Sequence, residues 1–205
     1  MTSLGELRES KSRWRRVLEE RRRTIDETTR SAETASLRSA VLDWAGQRNP
    51  RVVAAYVPVR GEPGSTELLD ALRAAGHRVL LPVVVGAAPL DWAEYAGSES
   101  LDRARYGLLE PNGPRLGAAG LGAADAVLVP ALAVDERGVR LGRGAGHYDR
   151  SLPLADPAAQ LIGVVRDAEF VAELPGEEHD IRMHAVITPG RGLVAVGGGG
   201  RGHAV

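Results

Sequence analysis

Cysteine is absent from the 205 residues, which excludes disulfides, thiolate metal sites and a cysteine nucleophile. Aromatic residues are scarce, with one Phe, three Trp and four Tyr, so a core has to be built mostly from Val, Leu, Ile and Ala. No apolar run approaches the ~20 residues a spanning helix needs. The N-terminus alternates charge with Leu and has no apolar h-region, so no export signal is visible and a cytoplasmic protein is expected. A formal net charge of −1 supplies no global field to draw the chain to nucleic acid or a membrane, and neither is expected as a partner. What remains is 43% apolar and 26% charged, the balance of a soluble globule and not of a disordered chain. At 21.7 kDa the expectation is one α/β domain over residues 1–188, acting as a monomer.

Ser3-Leu4-Gly5-Glu6 reads as a capping box that opens an amphipathic helix to about Arg23. Thr24-Ile25-Asp26-Glu27 reads as a second box, starting a helix with Leu37, Val41 and Trp44 on one side and ending at Gly46 and Pro50. The two form an N-terminal helical hairpin over 3–46. Arg51 to Val59 then has the continuous apolar content of a strand buried on both faces. A short helix from Thr66 to Ala75 follows, and strands are expected at 78–85, 90–95, 126–129, 160–165 and 185–188. Strands separated by helices or long loops predict a mainly parallel sheet flanked by helices on both faces. From Pro189 the chain shows no periodicity and carries Gly197 to Gly200, so 189–205 is expected to be a flexible tail.

The densest chemical signal is Arg140-Leu141-Gly142-Arg143-Gly144-Ala145-Gly146-His147-Tyr148-Asp149-Arg150. Alternate glycines let backbone N–H groups approach an anion, and the arginines match phosphate oxygens geometrically. The residues after Gly146 look like a first helical turn, which also favours an anion. Asp149 is placed where a carboxylate could hold Mg2+ bridging phosphates. A solvated glycine-rich turn is the plain alternative. No G-x-x-x-x-G-K-[ST] is present, and about ten residues of loop separate the glycines from Val129, so neither the P-loop nor the dinucleotide fingerprint applies.

Lys11 is the only lysine, and it falls on the apolar stripe Leu4, Leu7, Trp14, Leu18 with Arg15 four residues on. An inward cation pair makes sense if an anion lies between helix and sheet, although both side chains could instead snorkel or meet acids. Arg13, Arg16, Arg21, Arg22 and Arg23 read as a solvated face, with Glu19 and Glu20 interrupting the run. Glu62 follows the first buried strand, where open α/β sheets bind ligands. Asp180 is a candidate second acidic ligand, whereas His179 and His184, five apart with no third partner, are not read as a metal site. Glu110, before Pro111, is held extended and could line a cleft.

Taken in order, Lys11-Ser-Arg-Trp-Arg15, Tyr56-Val-Pro with Glu62, Leu81-Pro-Val, Tyr106-Gly-Leu-Leu-Glu-Pro111, Val129-Pro-Ala-Leu-Ala-Val-Asp135, the glycine-arginine block and Glu178-His-Asp180 through Thr188 resemble the 5-formyltetrahydrofolate cyclo-ligase family. The resemblance implies an ATP- and Mg2+-dependent ligase that converts 5-formyltetrahydrofolate to 5,10-methenyltetrahydrofolate. It implies ATP contacts at Lys11, Arg15, Arg140, Leu141, Gly142, Arg143, Gly144, Ala145, Gly146, His147 and Tyr148. Folate contacts fall on Val57, Glu62 and Arg143 through His147, and Mg2+ on Asp149 and Asp180, with Arg143 and Tyr148 at the chemistry. The chain differs from the family's usual pattern at His147, where a tyrosine is common, and at Ala131 and Val134, which stand for Gly and Phe. Two rival readings stay open: a sugar-phosphate isomerase or coenzyme A transferase on a related fold, and a non-catalytic nucleotide- or folate-binding protein.

Overall fold

A computed structural model describes residues 4–59, 61–104, 107–177 and 180–197. Ser3, Tyr106, Glu178, His179 and the glycines from 198 onward, all invoked by the sequence reading, lie outside the described residues.

Helix α1 (Leu4–Thr24) runs one residue past the Arg23 expected from the sequence, which leaves Ile25 and Asp26 as the break before α2 (Glu27–Arg48). The second capping box therefore shifts: Asp26, not Thr24, caps α2, its carboxylate accepting from the Thr29 amide at 2.9 Å and the Thr29 hydroxyl at 2.8 Å. Asn49, left-handed at φ 48°, closes α2. Next come β1 (Val52–Ala54), α3 (Thr66–Ala74), β2 (Arg78–Val83), β3 (Asp91–Glu94), β4 (Leu101–Arg103), β5 (Leu109–Pro111) and β6 (Ala126–Pro130). The chain continues through β7 (Ala133–Asp135), β8 (Arg140–Leu141), α4 (His147–Ser151), β9 (Gln160–Val164), β10 (Phe170–Val171), β11 (Ala185–Thr188) and β12 (Gly192–Ala195).

Seven strands form the main sheet in the order β12-β11-β9-β6-β1-β2-β3. The five central strands are parallel, and each edge strand is antiparallel to its neighbour. β1 is a third of the length its apolar run predicts, because beyond Ala55 the chain leaves the sheet to reach the loop carrying Glu62. The segment 189–197 is a correction to the expected tail. Its Gly192–Ala195 pairs with β11, and the turn before it is tied by Thr188 Oγ1 accepting from the Arg191 amide and by Asp167 accepting from the Gly190 amide. Four residues of edge strand beside a glycine run carry too little pattern to stand out in sequence.

Helices α2 and α3 cover one face of the sheet, with Leu37, Val41, Trp44, Leu69 and Leu72 packed on Val53, Val79, Leu81, Leu128 and Ile162. The other face is closed by shorter pieces, the 3-10 turns at 118–123 and 152–154, which bring Leu121 and Leu152 against Val127, Val129 and Leu161. α1 serves neither face. Its Leu18, with Trp14 beside it, packs on Leu132, Ala133, Val139 and Leu141, in and beside the strands of a separate small sheet, β10-β7-β8. The N-terminal helices are consecutive, yet each buries its apolar stripe in a different core. No described helix is long and apolar enough to cross a membrane.

Candidate active site

The sheet itself dictates where a ligand can lie. β1 is flanked by β2 on one side and β6 on the other, so the chain leaves the carboxyl ends of β1 and β6 in different directions and a crevice opens between them. A cavity of about 210 Å³ occupies that crevice. One wall is apolar, with Val57, Val59, Pro82, Val84, Leu90 and Leu109; Glu62 and Glu110 join it, and the loop from Gly142 to Asp149 forms the opposite wall. Val57, Glu62, Arg140 and all of Gly142 through Asp149 thus line one space. Glu110 lines it too, its carboxylate accepting from the Val84 amide at 2.9 Å.

The glycine loop is less remote from strand structure than its sequence suggests. β7 and β8 lie between Val129 and Gly142, and β8 pairs antiparallel with β7 to deliver the loop directly over the end of the main sheet. Gly144 has a φ of +98°, with the Arg15 guanidinium at ordinary contact distance beside it. Gly146, at φ +71°, turns the chain into α4. A side chain is disfavoured at both positions. Leu141 differs from its neighbours because its side chain is buried in the core beneath α1, leaving main chain as all it can offer a ligand.

Every cation of the predicted set already meets an oxygen. Arg143 donates from Nε to Glu62 and from Nη1 to Glu19, both at 3.0 Å. Arg140 pairs with Asp149 and stacks over the Tyr148 ring at 5.7 Å. Lys11 meets Asp180 at 3.2 Å, and Arg15 donates to the Gly142 carbonyl at 2.9 Å. Lys11, Arg15 and Asp180 are not in the cavity wall; Arg15 reaches the loop from α1 through the Gly142 carbonyl, and Lys11 joins α1 to Asp180. The inward turn of Lys11 and Arg15 agrees with the stripe on which they fall.

Two titrating groups are shifted by their surroundings. Tyr148, its hydroxyl buried without a hydrogen-bond partner, is held far above the usual phenol range by burial first and the Glu62 charge second. His147 is pushed below its ordinary value by burial and then by the Arg150 cation. For a metal, Asp149 is an exposed carboxylate paired with Arg140 and Asp180 a half-buried one paired with Lys11. Among the described residues no group of three His, Asp or Glu could hold a metal unaided. Of the two aspartates only Asp149 lines the cavity, and a single carboxylate suits Mg2+, which fills its shell from phosphates and water.

Sequence reasoning missed four charged residues here. Glu19 was an interruption in a basic run and Arg22 part of a solvated face; instead Glu19 holds Arg143, and Arg22 is 3% exposed. The correction has a simple cause: the inward stripe 11, 14, 15, 18 continues at helical spacing to 19 and 22. Glu169 and Arg166, the other two, carry no local signal and meet α1 and α2 across the fold.

A cavity at the topological switch of a parallel sheet, roofed by a glycine-arginine loop and walled by apolar side chains, is the place where α/β enzymes bind their ligands. The sequence matches the model of the 5-formyltetrahydrofolate cyclo-ligase family over residues 7–189, and the chain belongs to that family of enzymes. A Mycolicibacterium smegmatis protein named 5-formyltetrahydrofolate cyclo-ligase is 48% identical over 194 residues, 91% of this chain and 97% of its own. The Escherichia coli K12 protein of the same name is 35% identical over 142 residues, 68% of this chain and 78% of its own. The solution structure of Aquifex aeolicus 5,10-methenyltetrahydrofolate synthetase superposes with a TM-score of 0.79 at 26% identity, covering 95% of this chain and 96% of that one.

Proposed function

We propose that the chain performs the ATP- and Mg2+-dependent cyclisation of 5-formyltetrahydrofolate to 5,10-methenyltetrahydrofolate, with release of ADP and phosphate, in the cytoplasm. The observation that carries this reading is Arg143, which stands on the glycine loop and reaches Glu62 on the facing wall, so one guanidinium joins an anion cradle to an apolar cavity. The N5-formyl group is an amide, and its oxygen leaves only once it is made a better leaving group. Phosphoryl transfer to that oxygen gives an iminium phosphate and ADP. N10 then bonds to the formyl carbon, its proton passes to solvent, and phosphate departs with the formyl oxygen.

The protein's share is alignment and charge stabilisation. The main chain of 142–148 cradles the phosphates, with Lys11 and Arg15 reaching them from α1. Arg143 lies against the transferring group, and Glu62 and Val57 orient the pterin. Tyr148, kept protonated by its burial, donates a hydrogen bond at the reacting end of the cavity. Asp149 and Asp180 would hold Mg2+, which supplies neutralisation of the phosphate charge. The pairs Lys11–Asp180, Arg140–Asp149 and Arg143–Glu62 keep these groups in place before substrates bind.

Purified protein with Mg-ATP and 5-formyltetrahydrofolate should produce methenyl absorbance and ADP in equal amounts, and chelation of Mg2+ should stop both. Folate-dependent ADP without methenyl product would remove this reading. Binding of both substrates without turnover would favour a non-catalytic binding protein.

A further inference from the structure

Behind the cavity lies a cluster of four charges that the proposed reaction does not use. Arg22, on α1, donates from Nε and Nη2 to the two carboxylate oxygens of Glu169 at 2.6 and 2.7 Å, and from Nη2 to the Ala131 carbonyl at 2.6 Å. Arg166 donates its backbone N–H to Glu169 at 2.9 Å, its Nε to Glu33 of α2 at 2.7 Å and its Nη1 to the Gly61 carbonyl at 2.9 Å. Arg22, Arg166 and Glu169 are each no more than 5% exposed. Burial opposes the charge of Arg22, yet the Glu169 carboxylate outweighs it and holds the guanidinium above its ordinary pKa.

These contacts close a ring. Arg143 is gripped by Glu19 and Glu62. Glu19 is one helical turn from Arg22; Arg22 holds Glu169, which holds Arg166; and Arg166 holds the carbonyl of Gly61, the residue before Glu62. Both carboxylates that aim Arg143 are therefore fixed from beneath by the same buried cluster, one through α1 and the other through the Gly61 carbonyl. Desolvating four charges is costly, and apolar replacements of similar volume often serve stability as well or better. Apolar side chains could not grip the Gly61 carbonyl.

We propose that Arg166, held by Glu169 and Arg22, is a positioning residue for Glu62 and through it for Arg143. This rests on the cyclo-ligase reading for its kinetic consequences and not for its structural one. Arg166→Gln removes the Gly61 contact while Arg22 and Glu169 remain paired. Glu33→Gln weakens the same arginine's other ion pair and leaves Gly61 held, so it serves as the structural control. Two measurements are made on the full chain. In the first, Arg166→Gln raises the KM for 5-formyltetrahydrofolate at least tenfold and shifts the KM for ATP less than twofold. Arg166→Lys restores part of the loss, and Glu33→Gln leaves both constants within twofold. The second, hydrogen exchange without ligands, shows faster exchange at 61–64 and 142–144 in Arg166→Gln but not in Glu33→Gln. Equal kinetic effects in the two variants, or unchanged exchange at 61–64 in Arg166→Gln, would overturn the proposal. If the unmodified protein makes no methenyl product, the cyclo-ligase reading fails, and the exchange measurement still decides the positioning role.

Discussion

The main sheet and the rim above it are built from opposite chemistry. In the sheet, Val53, Leu80, Leu81, Val127 and Ile162 are wholly buried and touch other hydrocarbon. At the rim, the side chains that matter are charged and paired across long stretches of sequence: Lys11 with Asp180, and Arg143 with Glu19 and Glu62. Apolar packing is non-directional and, once made, has no reason to be exchanged. An ion pair at a half-exposed rim contributes little net stability, and its cation can pass from a carboxylate to a phosphate at small cost. The difference separates what holds the fold together from what the fold holds ready.

Four substitutions test that division, in order of expected effect. Arg143→Ala should lower turnover at least a hundredfold while changing unfolding free energy by about 1 kcal/mol, because the guanidinium and its partner Glu19 are partly exposed at the cavity. Steady-state rates beside a urea titration check it, and a fully active variant would remove the charge-stabilising role. Ile162→Ala should do the reverse, costing about 2–5 kcal/mol of stability with unchanged KM values, since a cavity is left among Leu128, Val164 and Ile187. A large change in KM with normal stability would mean that the sheet is not the passive support described above.

Tyr148→Phe sits on the boundary. Its hydroxyl is buried with no partner in the ligand-free protein, so its loss should raise stability by about 1 kcal/mol. Turnover should fall about tenfold, and a variant that is both less stable and fully active contradicts each half. The smallest effect is electrostatic. Burial and Arg150 hold His147 below its ordinary pKa of 6.5, so between that lower value and 6.5 the unfolded chain binds more protons than the folded one. Stability is thus intact above that window and falls as the pH drops through it. Melting curves across mildly acidic pH should show a slope that His147→Tyr flattens; an unchanged slope assigns the effect to another group.

Much of the sheet was legible because burial on both faces demands uninterrupted apolar runs, and 78–83, 126–130, 160–164 and 185–188 supply them. β7, β8 and β10 were not legible. Two- and three-residue strands have no periodicity of their own and exist because α1 packs on them. The glycine-arginine loop stood out in sequence as a candidate anion cradle, but its seat over the switch between β1 and β6 was not legible. Lys11 was visible on its stripe; Arg22, on the same stripe, was read as solvated because it stands in a run of three arginines and its partner Glu169 lies 147 residues on.

From residue order alone came the parallel α/β class, the family resemblance and the segments from which a cavity would be assembled. Each rests on local pattern: apolar runs, glycine spacing, helical stripes. Tertiary structure alone decided which carboxylate meets which arginine, that Gly192–Ala195 completes the sheet, and that α1 and α2 part to separate cores. The physical reason is range. Backbone preference and hydrophobic period act over a few residues, whereas Arg22 and Glu169 stand 147 residues apart and come within 2.6 Å only after folding brings them there.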